Sequence, residues 1–202
     1  PVLEELRTGL QPLIEQAVGL SLPDDGYLYH AVPQAKQWEL SLELLAFMGF
    51  DLARGRQDTS AHPFSLALGP DDVRVTVAID PHNLQAMLFT VLHEGGHGLY
   101  EQGLSPAYAG WPQGKPGSYA LHESQARLWE NHIGRSQAFC QYLFPKVATC
   151  FPSGLTEQGP EALFLAFNRI EPSLIRIQAA ELTYHSHILL RYELERALIE
   201  DK

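Results

Sequence analysis

The pentapeptide His93-Glu94-Gly95-Gly96-His97 constrains this chain more than any other stretch. Side chains four residues apart stand on the same face of a helix, so His93 and His97 can present two imidazole nitrogens to one metal ion. Glu94 lies beside them and can accept a proton from a water that the metal activates, which is the pattern of zinc-dependent hydrolysis. The sequence therefore predicts a metal-binding helix with Glu94 as its general base.

The residues around the pentapeptide favour this helix. Before it, apolar residues recur at the spacing of a helix face that packs against a core: Leu84, Met87, Leu88 and Val91. Gly95 and Gly96 each destabilise a helix interior by about 1 kcal/mol relative to Ala. We therefore expect a partner helix or a substrate backbone to approach closely at these glycines, because such a contact would offset the loss.

The rest of the chain is predicted to be mainly helical with one small β insertion. Apolar spacing favours helices over residues 3–20, 34–50, 118–143, 160–170 and 172–202, with Pro145 ending the third of them. Two extended runs, 62–68 and 73–79, flank a turn of Gly, Pro and Asp residues and predict a β-hairpin.

The charge of the chain and its pattern of apolar residues exclude two classes of partner. The formal net charge is -10 and no predicted helix carries a stripe of Lys and Arg, so a nucleic-acid partner is not expected. No segment is apolar over the length needed to span a bilayer, so we expect no membrane partner. The first residues do not have the charged and then apolar pattern of a signal peptide, so we expect a cytoplasmic location.

A catalytic zinc takes three protein ligands and leaves one position for water. Tyr100 and Gly103 stand where an extended metzincin motif would place Gly and His, which excludes that class. A carboxylate from a following helix is the common alternative. Glu123, near the start of the next long helix, is the first candidate, and Glu130, two turns further along, is the second. His122 is interpreted as a neighbour rather than a ligand.

The chain carries five short motifs in this order: His62-Pro63-Phe64, Asp72-x-Arg74-x-Thr76, His93-Glu94-x-x-His97, His122-Glu123-Ser124-Gln125, and Ile175-Arg176 before Glu181-Leu182-Thr183-Tyr184. This set resembles the carboxypeptidase Taq family of metallocarboxypeptidases. The resemblance implies a zincin-like, mainly α fold with a small β-hairpin or sheet next to the metal-binding helix. It also implies a single metallopeptidase-like catalytic domain over residues 1–202, which is short relative to the family.

The resemblance implies removal of single residues from peptides with a free C-terminus. His93, His97 and Glu123 would hold Zn²⁺, with Co²⁺ or Mn²⁺ as alternatives. Glu94 would be the general base, and His62 would lie near the substrate carbonyl and help to stabilise the oxyanion.

A carboxypeptidase must also hold a free carboxylate. Arg176 is the first candidate, because a guanidinium matches a carboxylate at two points. Three other arginines compete with it: Arg74, Arg127 and Arg135. Arg74 also fits a framework role together with Asp72, and Tyr184 is a further candidate for contact with the substrate.

The chain departs from the family in two respects. Ala180 replaces the aspartate of the family's Ala-Asp-Glu tripeptide, so the hydrogen bond of that aspartate is lost. The family's longer N-terminal helical part and its C-terminal Gly-x-x-Gln-Asp-x-His-Trp motif are not found. Three hypotheses follow: a competent short peptidase whose open groove also allows internal cleavage, a fragment that binds C-termini poorly, or a non-catalytic metal-binding domain. Exposed apolar faces predict a homodimer or larger assembly.

Overall fold

A computed structural model describes residues 2–151, 158–176 and 179–201. The described residues form seven α-helices and three strands. The helices are α1 (Val2–Val18), α2 (Gln34–Met48), α3 (Leu84–Gln102), α4 (Tyr119–Arg127), α5 (Gln137–Cys150), α6 (Pro160–Phe167) and α7 (Glu181–Ile199), and the strands are β1 (Gly55–Thr59), β2 (Ser65–Gly69) and β3 (Asp72–Val77). The mainly α fold with a small sheet agrees with the prediction. Among the described helices, none is long and apolar enough to cross a membrane.

The chain divides into two compact units, which are described separately. The central unit is Asp25–Phe164, and the terminal unit combines Pro1–Asp24 with Leu165–Lys202. The central unit contains α2 to α5 and the whole sheet. In the terminal unit α1 packs on α7, and Arg7 pairs with Glu193 at 3.0 Å. A single catalytic domain over residues 1–202 stays a prediction.

The sheet of the central unit packs against α3, with β3 as its middle strand. β2 pairs antiparallel with β3, as the predicted hairpin requires, and β1 pairs parallel with β3 on the other side. The sequence pattern did not indicate β1, because this strand places a polar residue inward. Gln57 is 5% exposed, and its side-chain amide donates to the Ser41 hydroxyl at 2.7 Å.

The metal-binding helix α3 forms as the sequence predicts. The Asn83 side chain accepts a hydrogen bond from the Ala86 amide at 3.0 Å and caps the first turn. The predicted core residues are at most 1% exposed: Leu84, Met87, Leu88 and Val91. Burial of this face fixes the rotation of α3 and therefore the direction in which the histidines of the motif point.

The prediction of a single helix over residues 118–143 is wrong. α4 ends at Arg127, and a wider π-helical turn follows over Leu128–Ile133. At Gly134 a Cβ atom would lie 2.6 Å from the Leu92 side chain of α3. The π-helical turn therefore ends at a glycine, where the backbone passes close to α3. Turns of this wider kind are frequent at functional sites.

Pro145 does not end a helix, contrary to the prediction. It lies inside α5, although proline removes one hydrogen bond from a helix interior. The apolar face of α5 continues past it, with Val147 fully buried and Cys150 5% exposed. Packing of this face outweighs the local preference for a break.

The last helix begins at Glu181 rather than at Pro172, and residues 177–178 of the predicted helix lie outside the described residues. Ala180 is the N-cap residue of α7 and offers no side-chain hydrogen bond to the first turn. The Thr183 amide and hydroxyl donate to the Ala180 carbonyl instead, at 3.0 and 3.1 Å. An aspartate at this position could cap α7 with its side chain, whereas alanine cannot.

Candidate metal centre

Three side chains from two helices converge in the central unit. His93 and His97 lie one turn apart on α3, and Glu123 lies on α4. Glu123 Oε2 is 3.8 Å from His93 Nε2 and 3.5 Å from His97 Nε2. One potential ligand atom from each residue lies within 4.8 Å of the others. The structure thus brings together the three ligands that the sequence predicts.

The donor set fits a divalent metal of the zinc type. Two imidazole nitrogens and one carboxylate oxygen are common zinc ligands, and ligand atoms around a tetrahedral zinc are roughly 3.4 Å apart. The two distances from Glu123 Oε2 approach this spacing. Co²⁺ and Mn²⁺ accept the same donor types. Three protein donors leave a coordination position open, as catalytic sites require.

Glu130 lies behind His93 and not among the three converging donors. Its Oε2 is 2.7 Å from His93 Nδ1, the ring nitrogen that does not face Glu123. Arg127 contacts both carboxylates: its Nε donates to Glu123 Oε1 at 2.9 Å, and its Nη1 is 3.2 Å from Glu130 Oε2. These contacts occupy one oxygen of Glu123 and leave Oε2 directed toward the two histidines. The π-helical turn carries Glu130 to this position.

Charges within the cluster shift the pKa values of its members. Hydrogen bonding to His97 lowers the pKa of Glu123 to about 2, with help from the charges of His93 and Arg127 and against the effect of burial. Burial lowers the pKa of His93, but the hydrogen bond and charge of Glu130 outweigh burial, and the net shift is upward. Glu123 is therefore anionic at neutral pH, as a carboxylate ligand must be.

Glu94 is 7% exposed and lines an open cleft of about 390 Å³. The other lining residues are Phe64, Ser65, His97, Tyr119, His122 and Glu123. Burial raises the pKa of Glu94, although the charges of the two motif histidines and a hydrogen bond with Ser65 act in the opposite direction. A carboxylate with a raised pKa exchanges protons more readily near neutral pH, which suits a general base.

The two glycines of the motif permit close helix contacts, as the sequence predicts. At Gly96 a Cβ atom would lie 2.8 Å from the Ala126 Cα and 2.8 Å from the Gln125 carbonyl oxygen. At Gly95 it would meet the side-chain ends of Met48 and Leu45, at 2.7 and 2.9 Å. The α4 backbone that carries Glu123 can approach α3 because Gly96 has no side chain.

We expect Gly96→Ala to lower the free energy of unfolding by about 1–3 kcal/mol and to weaken metal binding. The added methyl group must displace the α4 backbone, and Glu123 moves with it. Gly95→Ala is the matched control, since it meets side chains that can move and gains about 1 kcal/mol of helix propensity. Urea unfolding of the metal-free variants and zinc titration measure the two effects. Equal zinc affinity in both variants would contradict the role of Gly96 in placing Glu123.

Two other predicted site residues lie on or near the sheet. His62 is exposed, and its carbonyl accepts a hydrogen bond from the Ser60 hydroxyl at 2.9 Å, while Phe64 of the same loop lines the cleft. Arg74 forms a two-point pair with Asp72 at 2.8 and 2.9 Å, and this hydrogen bonding lowers the pKa of Asp72. The pair fits the framework interpretation. Catalysis by His62 and substrate binding by Arg74 stay predictions.

The two remaining predicted residues, Arg176 and Tyr184, belong to the terminal unit. Arg176 is exposed and donates from Nη1 to the Tyr184 hydroxyl at 2.6 Å. Its guanidinium carbon is 5.7 Å from the centre of the Tyr184 ring. The two side chains form a pair, and their contact with a substrate stays a prediction.

Sequence reasoning missed several contacts around the metal centre. Tyr119 is 97% exposed and lines the cleft from the first turn of α4. His122, interpreted as a neighbour, has its Nδ1 2.5 Å from His97 Nδ1, and its Nε2 is 2.9 Å from Glu101 Oε1. Glu101 follows His97 by four residues, so helical spacing was the signal that could have indicated it.

The fold and the site together define a class of protein. A helix with two histidines and an adjacent glutamate, joined by a glutamate from a later helix, is the arrangement of an HExxH metallopeptidase. The chain belongs to the carboxypeptidase Taq family, since residues 1–202 match the family described as Carboxypeptidase Taq (M32) metallopeptidase. The family predicted from the five motifs is therefore confirmed.

The relatives agree with this assignment. Thermostable carboxypeptidase 1 of Thermus thermophilus is 45% identical over 199 residues, which are 98% of this chain and 39% of the relative. Carboxypeptidase 1 of Bacillus subtilis is 36% identical over 98% of this chain and 40% of its own length. The crystal structure of the M32 carboxypeptidase from Deinococcus radiodurans R1 has a TM-score of 0.95 and 40% identity, covering 99% of this chain and 40% of that chain. The chain thus spans about 40% of the length of these relatives.

Proposed function

We propose that this chain carries the catalytic metal centre of a metallocarboxypeptidase that hydrolyses the last peptide bond of substrates with a free C-terminus. The observation that carries the proposal is the convergence of His93, His97 and Glu123 beside Glu94 on an open cleft. His93, His97 and Glu123 are the proposed ligands of Zn²⁺, and Co²⁺ or Mn²⁺ are alternatives. The relatives named carboxypeptidases supply the reaction class.

When bound, a zinc ion supplies Lewis acidity at this site. Glu94 is the proposed general base: it takes a proton from the attacking water and passes it to the leaving amine. Its burial and raised pKa support both transfers. His62 is proposed to help stabilise the oxyanion. Arg176, with Arg74 as the alternative, is proposed to hold the terminal carboxylate of the substrate, and Tyr184 to contact it.

The edge of the sheet supports a peptide as the substrate. Among the described strands β2 pairs only with β3, so its outer edge lies free of a neighbouring strand. Ser65 begins β2 and lines the cleft together with Phe64. An extended peptide can bind to such an edge through its backbone amides and carbonyls.

Metal analysis combined with product analysis tests the proposal. The purified chain is incubated with a blocked dipeptide and a longer peptide, and the products are identified by mass spectrometry. Near-stoichiometric metal and release of single C-terminal residues are the expected results. Bound metal without release of C-terminal residues would support the alternative of a metal-binding domain with little carboxypeptidase activity. This alternative is favoured by the fact that the chain spans only 40% of the length of its Bacillus subtilis relative. Internal cleavage would indicate an endopeptidase that acts through an open groove.

The partners follow from the same proposal. Peptides with a free C-terminus are the proposed substrates, and neither nucleic acid nor a membrane is expected to bind. Homodimer formation and a cytoplasmic location stay predictions from the sequence.

A further inference from the structure

A hydrogen-bonded chain of three largely buried side chains, those of His97, His122 and Glu101, extends from the metal centre into the contact between α3 and α4. His122 Nδ1 is 2.5 Å from His97 Nδ1, and His122 Nε2 is 2.9 Å from Glu101 Oε1. The His97 side chain is 14% exposed, and those of His122 and Glu101 are each 17% exposed, so this hydrogen-bonded chain is largely shielded from solvent. The Tyr100 ring lies edge-on to His122, with ring centres 5.2 Å apart, and packs against this chain.

With both imidazoles neutral, the Glu101 end of this chain determines the hydrogen positions along it. Glu101 is a carboxylate and accepts only, so His122 must donate from Nε2. A neutral imidazole with its proton on Nε2 has an acceptor at Nδ1, and His97 must then donate from its own Nδ1. His97 Nε2 is then left without a proton, so its lone pair can bind a metal; without metal, a proton on Nε2 would instead be donated to Glu123 Oε2, 3.5 Å away. Each hydrogen bond therefore points in the direction that makes His97 Nε2 a ligand.

We propose that His122 and Glu101 are a positioning pair that holds the ring of His97 in its metal-binding tautomer and orientation. This inference rests on the proposed function, because it takes His97 as a ligand. The two motif histidines are then supported differently. His93 Nδ1 meets the Glu130 carboxylate directly, at 2.7 Å, whereas His97 Nδ1 is linked to a carboxylate, that of Glu101, through the ring of His122. A carboxylate that accepts from a ligating imidazole fixes its tautomer and raises its basicity, and the intervening ring of His122 transmits the same effect.

The geometry also explains why the pair sits where it does. Glu101 follows His97 by one turn of α3, and His122 precedes the proposed ligand Glu123 by one residue on α4. The approach of α4 to α3 at Gly96 brings the two helices close enough for the hydrogen bonds between His97, His122 and Glu101 to form. A single helix contact thus places the third ligand and supports the second one.

The tautomers of the zinc-loaded protein test the inference directly. Long-range ¹H–¹⁵N NMR of histidine-labelled protein is expected to show the His122 proton on Nε2 and the His97 proton on Nδ1. Zinc affinity is measured in parallel with a competing chelator. His122→Leu removes the acceptor and is expected to weaken zinc binding by about 10–100-fold. His122→Asn keeps an acceptor oxygen near the Nδ1 position and is expected to restore most of the affinity.

Three matched variants complete the experiment. Glu101→Ala should weaken zinc binding in the same range as His122→Leu, while Glu101→Gln keeps an acceptor oxygen and should be milder. His82→Ala changes an exposed histidine outside the site and should leave zinc affinity unchanged. Urea unfolding of the metal-free proteins shows whether each variant is folded. If the His122→Leu variant does not fold, the tautomers of His97 and His122 in the wild-type protein decide whether the inference holds.

The outcomes separate this inference from the proposed function. A His122 proton on Nδ1, or unchanged zinc affinity in folded His122→Leu and Glu101→Ala, would overturn the positioning pair and leave the metal centre intact. A wild-type protein that binds no zinc, cobalt or manganese would overturn both, because His97 would then have no metal to bind.

Discussion

Replacing Glu94 with glutamine is expected to slow the release of C-terminal residues by about 10²–10⁴-fold while leaving the bound metal unchanged. Glutamine has the shape of glutamate, but its amide cannot accept a proton from water at neutral pH. Glu94 is not among the three converging donors, so its amide variant keeps all of them. Steady-state rates on a blocked dipeptide and metal content of the same preparation measure the two effects.

An isosteric control separates the loss of a base from a general loss of charge. Glu39 is exposed on α2 and pairs with Lys36 at 2.9 Å, so Glu39→Gln should change neither rate nor metal content. Activity retained in Glu94→Gln would assign proton transfer to another group. Loss of metal together with activity would instead show that Glu94 supports the metal site.

The metal-binding helix could be predicted from the sequence because its chemistry depends on short-range spacing. His93 and His97 share a helix face wherever the helix forms, and the apolar residues before them fix which face is buried. Glu123 could be placed only as a candidate, because its distance from the histidines depends on how α4 packs. The two adjacent glycines indicated that packing, and Gly96 is where the α4 backbone passes.

The elements that sequence reasoning missed depend on contacts between distant residues. β1 pairs with β3 and buries Gln57 against Ser41, a polar contact that no apolar alternation reveals. Pro145 remains helical because α5 buries residues on both sides of it. The support of the histidines by Glu130 and by His122 likewise requires a π-helical turn and a helix crossing. Local propensity carries no information on any of these.

The choice between Glu123 and Glu130 as the third ligand can be decided by one pair of variants. Glu123→Gln is expected to weaken zinc binding by more than about 100-fold, because it removes the anionic donor whose Oε2 faces both histidines. Glu130→Gln is expected to weaken it by about 10–100-fold, since an amide oxygen can still accept from His93 Nδ1 without the charge. Zinc titration against a chelator at fixed pH gives both values.

The order of the two effects is the result that matters, because both variants remove one negative charge from the same cluster. Arg127 contacts both carboxylates, so each variant leaves it the other carboxylate, and the two variants are matched in this respect as well. A larger loss in Glu130→Gln would make Glu130 the ligand and require α4 and the π-helical turn to shift when metal binds. A larger loss in Glu123→Gln, with unfolding of the metal-free proteins unchanged, would show that position 123 supplies a ligand and position 130 orients one.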